Sequence, residues 1–160
     1  MDPMISTEQG TVRGTVEQDT FAFLGIPYAA PPVGEGRFSP PQPPRRWDAT
    51  RDAVTYGATA LQPLQDFTLI PEPLVEGDNC LNLNVFTPSP GRTNLPVLVW
   101  IHGGGFFAGC NASPWYRGES FARDGVVLVS INYRLGIEGF LPVEDGGVNR
   151  GVLDWLAALE

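Results

Sequence analysis

The chain contains no lysine and a single histidine, His102, among its 160 residues. The absence of lysine excludes a P-loop, because its phosphate contacts require that cation. One histidine also limits acid-base chemistry, so either His102 carries all of it or the catalytic groups lie elsewhere. Ten arginines oppose 18 acidic residues, and the net charge of -8 argues against a generic binder of nucleic acid or anionic membranes.

Cysteines and long apolar runs are scarce as well. Cys80 and Cys110 allow at most one internal disulfide, and two reduced thiols are the simpler interpretation. No cluster of His, Cys and Asp residues has metal-ligand spacing, so we expect no structural metal. We expect no other cofactor either. No apolar run could span a membrane, and the polar, glycine-rich N-terminus does not resemble a signal peptide. With Met1 as the true start, these absences predict a soluble, cytoplasmic protein whose partners include neither nucleic acid nor a membrane.

Proline is abundant but concentrated in one stretch. Seven of the 16 prolines lie in residues 27–44, where too many backbone N–H groups are missing for a helix or an inner strand. The large aromatic side chains of Tyr28, Phe38 and Trp47 lie in or beside this stretch. We therefore predict an irregular wrap that packs on a core rather than a solvated linker.

Apolar patterning predicts strands and helices in much of the remaining sequence. Residues 10–26 have the pattern of an antiparallel hairpin, and residues 81–86 alternate as a half-buried strand does. Continuous apolar runs at 96–101 and 126–131 predict two strands buried on both faces. Helix formers at 114–125 connect these two strands, which predicts a β-α-β unit.

The last segment predicts a helix that begins after Asn149, a suitable N-cap, and carries apolar residues at helical spacing. It stops at Glu160 without a glycine, proline or capping residue, in the middle of its apolar pattern. We therefore expect that the sequence is cut at this point rather than finished. Residues 48–73, by contrast, predict only loops and a short helix.

The most informative segment is VLVWIHGGGFFAG at 97–109, in which an apolar strand leads directly into three glycines. Three glycines are entropically costly, and they are explained where two backbone N–H groups must face one point with no Cβ in the way. Such a point stabilises negative charge, for example the oxyanion of a tetrahedral intermediate in acyl transfer. An ordinary glycine-rich turn is the alternative, although HGGG after a central strand is the oxyanion motif of lipases and esterases. A phosphate loop fits poorly, because neither GxGxxG nor GxxxxGK[ST] is present.

Further motifs occur in a particular order and spacing. They are FLGIPYAAPP at 23–32, Arg37-Phe38 before the proline run and Trp47, CLNLNV at 80–85, NYRLG at 132–136 and NRGVLD at 149–154. Together with the glycine turn, they resemble the N-terminal part of the type B carboxylesterases, the cholinesterase-like branch of the α/β-hydrolases. The resemblance implies an α/β fold in which antiparallel N-terminal strands lead into a mostly parallel central sheet, incomplete in this chain.

The resemblance also implies where the domain stops. Residues 1–160 would form the N-terminal portion of one carboxylesterase domain, cut before the nucleophile elbow GxSxG. The serine, the acid and the catalytic histidine would all follow Glu160.

The resemblance implies roles for the glycine turn. The amides of Gly104 and Gly105 would be two of the three oxyanion-hole donors. His102 and Gly103 would support the turn, and His102 would not serve as the general base. Phe106 would border the acyl pocket and contact the substrate.

Two positions depart from the family pattern. Asp78-Asn79 stands where an acidic pair usually precedes the cysteine, and Trp155 replaces a glutamine. Neither position touches the reaction directly, so both departures concern local packing.

Other candidate residues have simpler structural interpretations. Ser120, within GESFA, follows no strand and lacks the second glycine of an elbow, so we assign it to the connector helix. Ser130 ends a strand without a glycine elbow. Cys80, at the entry of a buried strand, is expected to be a core thiol rather than a nucleophile. The acidic residues 144–145 are expected in a solvated loop, and Asp154 at a polar helix position.

The leading hypothesis is a partial serine carboxylesterase that hydrolyses small-molecule carboxylic esters through an acyl-enzyme and is inactive in isolation. One alternative is a non-catalytic interaction module on the same scaffold, against which the intact HGGGF turn argues. Another is one half of a two-chain esterase, completed by a C-terminal segment or subunit at an unfinished sheet edge.

Overall fold

The structure is a computed structural model that describes residues 2–63, 69–144 and 146–160. Asp145, half of the predicted acidic loop, lies outside the described residues. Within them the strands are β1 (Met4–Ser6), β2 (Thr11–Arg13), β3 (Thr15–Glu17), β4 (Thr20–Pro27), β5 (Arg51–Asp52), β6 (Asn82–Thr87), β7 (Val97–Ile101) and β8 (Val127–Ile131). The α-helices are α1 (Glu119–Arg123), α2 (Gly136–Phe140) and α3 (Arg150–Leu159).

A five-stranded sheet in the order β3-β4-β6-β8-β7 is the larger of two sheets, and β1, β2 and β5 form the smaller one. Strands β3, β4, β6 and β8 are antiparallel to their neighbours in that order, whereas β7 is parallel to β8. The predicted α/β class is therefore confirmed, with antiparallel N-terminal strands leading towards a parallel pair. Among the described residues, the parallel part of the larger sheet is limited to that one pair.

The predicted hairpin is present as β3 and β4. Its two turn residues, Gln18 and Asp19, have φ values of 48° and 64°. Positive φ at both positions is what a two-residue hairpin turn requires, because it matches the twist of the flanking strands. The hairpin is shorter than the predicted residues 10–26, since β2 leaves it to pair with β1.

The predicted β-α-β unit is present as β7, α1 and β8, but β7 is not buried on both faces. Val97 exposes 61% of its surface and Trp100 exposes 40%. One edge of β7 pairs with β8, no described strand pairs with the other edge, and α1 packs mainly on β4, β6 and β8. The apolar run predicted the strand correctly but not its burial, because burial depends on which elements cover it.

Strand β6 buries its asparagines. Asn82 and Asn84 are 2% and 0% exposed, whereas Leu83 and Val85 are only partly buried. The amide of Asn84 donates to Asn111 O at 3.1 Å and to Ser130 Oγ at 3.2 Å. These buried amides are tolerated because their hydrogen bonds replace those to water.

The proline-rich stretch packs on the core, as predicted. Tyr28 donates through its hydroxyl to Asn132 O at 2.7 Å, and the Trp47 indole donates to Thr11 O at 2.9 Å. The described part of residues 48–73 contains β5 and loops but no helix. No helix in the described part of the chain is long and apolar enough to cross a bilayer.

Helix α3 begins directly after Asn149, as predicted, although the Asn149 side chain makes no capping bond and its backbone is left-handed at φ 53°. The prediction of Asp154 as an ordinary polar helix position is incomplete. Its side chain is fully buried, and both of its carboxylate oxygens accept from the Arg134 guanidinium, at 2.6 and 2.9 Å. Sequence spacing did not indicate this ion pair, because its partners are 20 residues apart and Arg134 lies in the loop between β8 and α2.

Candidate functional site

The glycine turn lies at the carboxyl end of β7, where the parallel pair with β8 ends. Its first residue, His102, is only 3% exposed. The imidazole stacks on the Tyr133 ring with 4.5 Å between the ring centroids, and the Tyr133 hydroxyl donates to His102 O at 3.1 Å. The turn therefore starts at a buried residue that is held by its contacts, whereas residues 103–107 are exposed.

The backbone of the turn requires glycine at Gly104. Its φ is 109°, and an added Cβ would lie 1.9 Å from Ala108 O. Gly105 also has a left-handed backbone, at φ 63°, and its Cβ would lie 2.9 Å from the Phe107 ring. Gly104 O accepts from the amides of Phe107 and Ala108 at 3.3 and 3.1 Å, which closes the turn.

The amides of Gly104 and Gly105 are free donors within the described chain. Neither donates to another described backbone group, and both residues are exposed. An exposed backbone N–H without a protein acceptor is available to a ligand oxygen. Both groups are therefore available to a ligand oxygen, and their role in stabilising an anion stays a prediction of the sequence.

The imidazole of His102, at the start of the turn, is held in its neutral form. Burial lowers the pKa of His102 to about 4, although the hydrogen bond to Gly103 acts in the opposite direction. Because a carbonyl oxygen only accepts, the 2.9 Å contact between Nδ1 and Gly103 O places the proton on Nδ1. Nε2 is buried and has no hydrogen-bond partner among the described residues. A buried imidazole of such low pKa suits a supporting role better than general base catalysis at neutral pH.

Phe106 lies at the outer end of the turn and is 51% exposed. Its ring packs on Phe140 and Trp155, with centroids 4.7 and 6.2 Å away. Its carbonyl accepts from the Gly136 amide at 2.7 Å, and its own φ is 70°. Phe106 is therefore anchored by its carbonyl oxygen and its ring contacts, while about half of its surface remains exposed beside the glycines. A substrate group could contact this exposed surface.

Sequence reasoning missed two residues that hold this turn. Tyr133 contacts His102 through both its ring and its hydroxyl, and the NYRLG motif was a signal that this region matters. Gln62 hydrogen-bonds the backbone of Gly109, at the end of the turn, and no local pattern pointed to it.

The side chains set aside as nucleophiles lie away from the turn or are buried. Ser120 is exposed on α1 and accepts from Arg123 at 3.3 Å. Ser130 is buried within β8. Cys80 and Cys110 are free thiols, and burial raises the pKa of Cys80 to about 12, which suppresses the reactive thiolate. Among the described residues, no group of three or more histidine, cysteine or acidic side chains could hold a metal ion.

The mixed sheet with a glycine turn after β7 matches part of the α/β-hydrolase fold of solved PNB esterases. The model of the carboxylesterase family matches residues 1–160, and the chain belongs to that family. The resemblance inferred from the motifs is thereby confirmed.

Individual relatives agree with this assignment. The chain is 42% identical over 166 residues to the para-nitrobenzyl esterase of Bacillus subtilis (strain 168). The aligned region covers 98% of this chain and 33% of the relative. It is 43% identical over 170 residues to the fumonisin B1 esterase of Sphingopyxis macrogoltabida, covering 96% of this chain and 30% of the relative. A solved structure of a PNB esterase superimposes with a TM-score of 0.91 at 41% identity, covering 99% of this chain and 34% of that one. The chain therefore spans about a third of the length of these relatives.

Proposed function

We propose that this chain is the N-terminal portion of a serine carboxylesterase that hydrolyses small-molecule carboxylic esters, and that the amides of Gly104 and Gly105 stabilise the oxyanion. The observation that carries the proposal is the turn itself, whose two amides are exposed and free of described backbone acceptors. The family membership supports the reaction class, since the named relatives are esterases.

The chemistry follows from the change in charge during acylation. When a nucleophile adds to the ester carbonyl, its oxygen becomes negative, and N–H donors held at that position lower the barrier without reorganising. Removing one such donor typically costs about 100- to 1000-fold in kcat. In this scheme His102 and Gly103 support the turn, and Phe106 borders the acyl side of the substrate.

The nucleophilic serine, the acid and the general base are proposed to come from a complementing segment or subunit. In support, the only histidine of the chain is buried and bonded to Gly103 O. The exposed apolar strand β7 also favours a complementing element, because one of its edges has no described partner.

The first test uses the chain alone. Purified chain is expected to show no turnover of p-nitrophenyl acetate and no saturable labelling by a fluorophosphonate, because it lacks a complete triad. Saturable labelling of Ser120, or of any other serine, would contradict this assignment.

The second test asks whether the turn works when the remaining two thirds are supplied. A chimera in which this chain replaces the matching third of the para-nitrobenzyl esterase is expected to hydrolyse p-nitrophenyl acetate. Gly104→Ala should lower kcat by about 100-fold or more, because its Cβ collides with Ala108 O and displaces the turn. Gly36→Ala is the control, since its Cβ would lie 3.8 Å from Pro31 O, an ordinary contact. An inactive chimera, or equal activity of the two variants, would reject the proposal.

A further inference from the structure

Side-chain amides hold the segment that leaves the glycine turn. The Gly109 amide donates to Gln62 Oε1 at 2.8 Å, and Gln62 Nε2 donates to Gly109 O at 3.0 Å. One side chain thus satisfies both backbone groups of Gly109, as a neighbouring strand would do. We propose that Gln62 is a positioning residue for the oxyanion turn, an inference that rests on the proposed esterase function.

Gly109 is in direct contact with the start of the turn. Its φ is 110°, and an added Cβ would lie 2.3 Å from His102 Nδ1 and 2.5 Å from Gly103 O. The backbone that Gln62 holds therefore packs against the residues that precede Gly104. Ala108, one residue before Gly109, donates to Gly104 O at 3.1 Å. A shift of Gly109 would therefore reach the Gly104 peptide both through the packing of Gly109 on His102 and Gly103 and through the hydrogen bond from Ala108 to Gly104 O.

The opposite side of the same segment is held from the core. The backbone N–H of Asn111 donates to Asn132 Oδ1 at 2.7 Å, and Asn111 O accepts from Asn84 Nδ2 at 3.1 Å. Asn84 and Asn132, which hold Asn111, are buried, so their replacement would disturb the sheet as well as the turn. Gln62 differs from them because it is only partly buried and lies in a loop outside the two sheets. Its contribution to the turn can therefore be separated from its contribution to the fold.

The first arm of the test measures the turn in the 160-residue chain, without any activity. Gln62→Met has a side chain of similar length that can neither donate nor accept the two hydrogen bonds. It is expected to accelerate hydrogen exchange of the Gly109 amide by about 10-fold and to shift the NMR signals of Gly103, Gly104 and Gly105. Gln42→Met is the matched control, because among the described residues the Gln42 side chain hydrogen-bonds only Pro40 O, at 3.2 Å, on the exposed surface.

The second arm measures catalysis in the chimera with the para-nitrobenzyl esterase. Gln62→Met is expected to lower kcat by about 10- to 100-fold with KM nearly unchanged, because small displacements of positioned groups act on the transition state. Affinity for a trifluoromethyl ketone, whose adduct carries an oxyanion, should fall by a similar factor. Gln42→Met should alter neither quantity, and the urea midpoints of both variants should stay close to that of the parent chimera.

The outcomes separate this inference from the proposed function. Unchanged signals of the three glycines in the first arm would overturn the role of Gln62, whether or not the chimera is active. Equal kcat in an active chimera would also overturn it. An inactive parent chimera combined with a displaced turn in the first arm would reject the esterase function while retaining Gln62 as the residue that holds the turn.

Discussion

At the scale of the residue, the single histidine is the most distinctive group. The fold buries His102, stacks it on Tyr133 and uses its Nδ1–H to hold Gly103 O. A neutral imidazole is the form that fits this environment, since burial disfavours its charged form. The single histidine therefore has a structural role, and the general base of the proposed reaction is expected to be supplied elsewhere.

The buried His102 makes stability dependent on pH in a defined window. Its pKa is about 4 in the folded chain and about 6.5 when exposed, so the unfolded chain binds the proton first as the pH falls. The stabilisation that comes from keeping His102 neutral in the folded chain is complete above pH 6.5 and is lost as the pH falls towards 4. The free energy of unfolding decreases by about 3 kcal/mol over this range. Urea unfolding between pH 4 and 7 should show this loss, and His102→Phe should flatten the difference.

NMR provides a direct check on the same group. With one histidine in the sequence, the imidazole C–H signal needs no further assignment. A titration midpoint near 4 is expected, whereas a midpoint near 6.5 would refute the buried, neutral imidazole.

Residues such as Gln62, Asn84 and Asp154 show where sequence patterns stop being informative. Each is polar, and polar residues are exposed on average, so a single sequence favours a surface position for all three. Their actual roles depend on partners far along the chain, including Gly109 for Gln62 and Arg134 for Asp154. Such pairs arise from the fold and leave no periodicity in the sequence. The glycine turn was predictable because its residues are consecutive.

At the scale of the element, local sequence signals predicted the presence of strands and helices better than they predicted the burial of their residues. The hairpin turn at Gln18 and Asp19 and the connector between β7 and β8 follow from residues close in sequence. The burial of β7 and of the asparagine face of β6 did not follow, because neighbouring elements decide burial. In the same way, α3 was predicted from its apolar spacing, whereas its attachment through Asp154 was not.

The attachment of α3 depends on the buried ion pair between Asp154 and Arg134, both 0% exposed at the side chain. Asp154→Asn removes the charge and leaves the guanidinium buried without its counterion. We expect a loss of about 3 to 5 kcal/mol in the free energy of unfolding, measured by urea titration with circular dichroism. Asp52→Asn is the control, because Asp52 pairs with Arg13 at the surface and should lose less than about 1 kcal/mol. Equal effects of the two variants would contradict the structural role of the buried pair.

At the scale of the whole molecule, several exposed apolar side chains lie on strand β7 and around it. A groove of about 570 Å³ lies beside β7, lined by Leu98, Trp100, Trp115 and Phe121 among others. Large apolar patches of this kind usually mark interaction surfaces. Because a part of a carboxylesterase is proposed here, the complementing segment is the occupant that we expect for this surface.

The open edge of β7 predicts how the chain behaves without its complement, because no described strand pairs with it. An unpaired apolar edge strand is a template for pairing with another copy, so the chain alone should self-associate with rising concentration. Val97→Lys places a charge on β7 at a position that is 61% exposed and should reduce this association. Val33→Lys, 46% exposed and outside the strands, should not. Light scattering after size-exclusion chromatography measures both effects. The chimera without either substitution should be monomeric, because the complementing segment is expected to cover β7. A parent chain that stays monomeric at every concentration would show that the exposed edge does not need a partner.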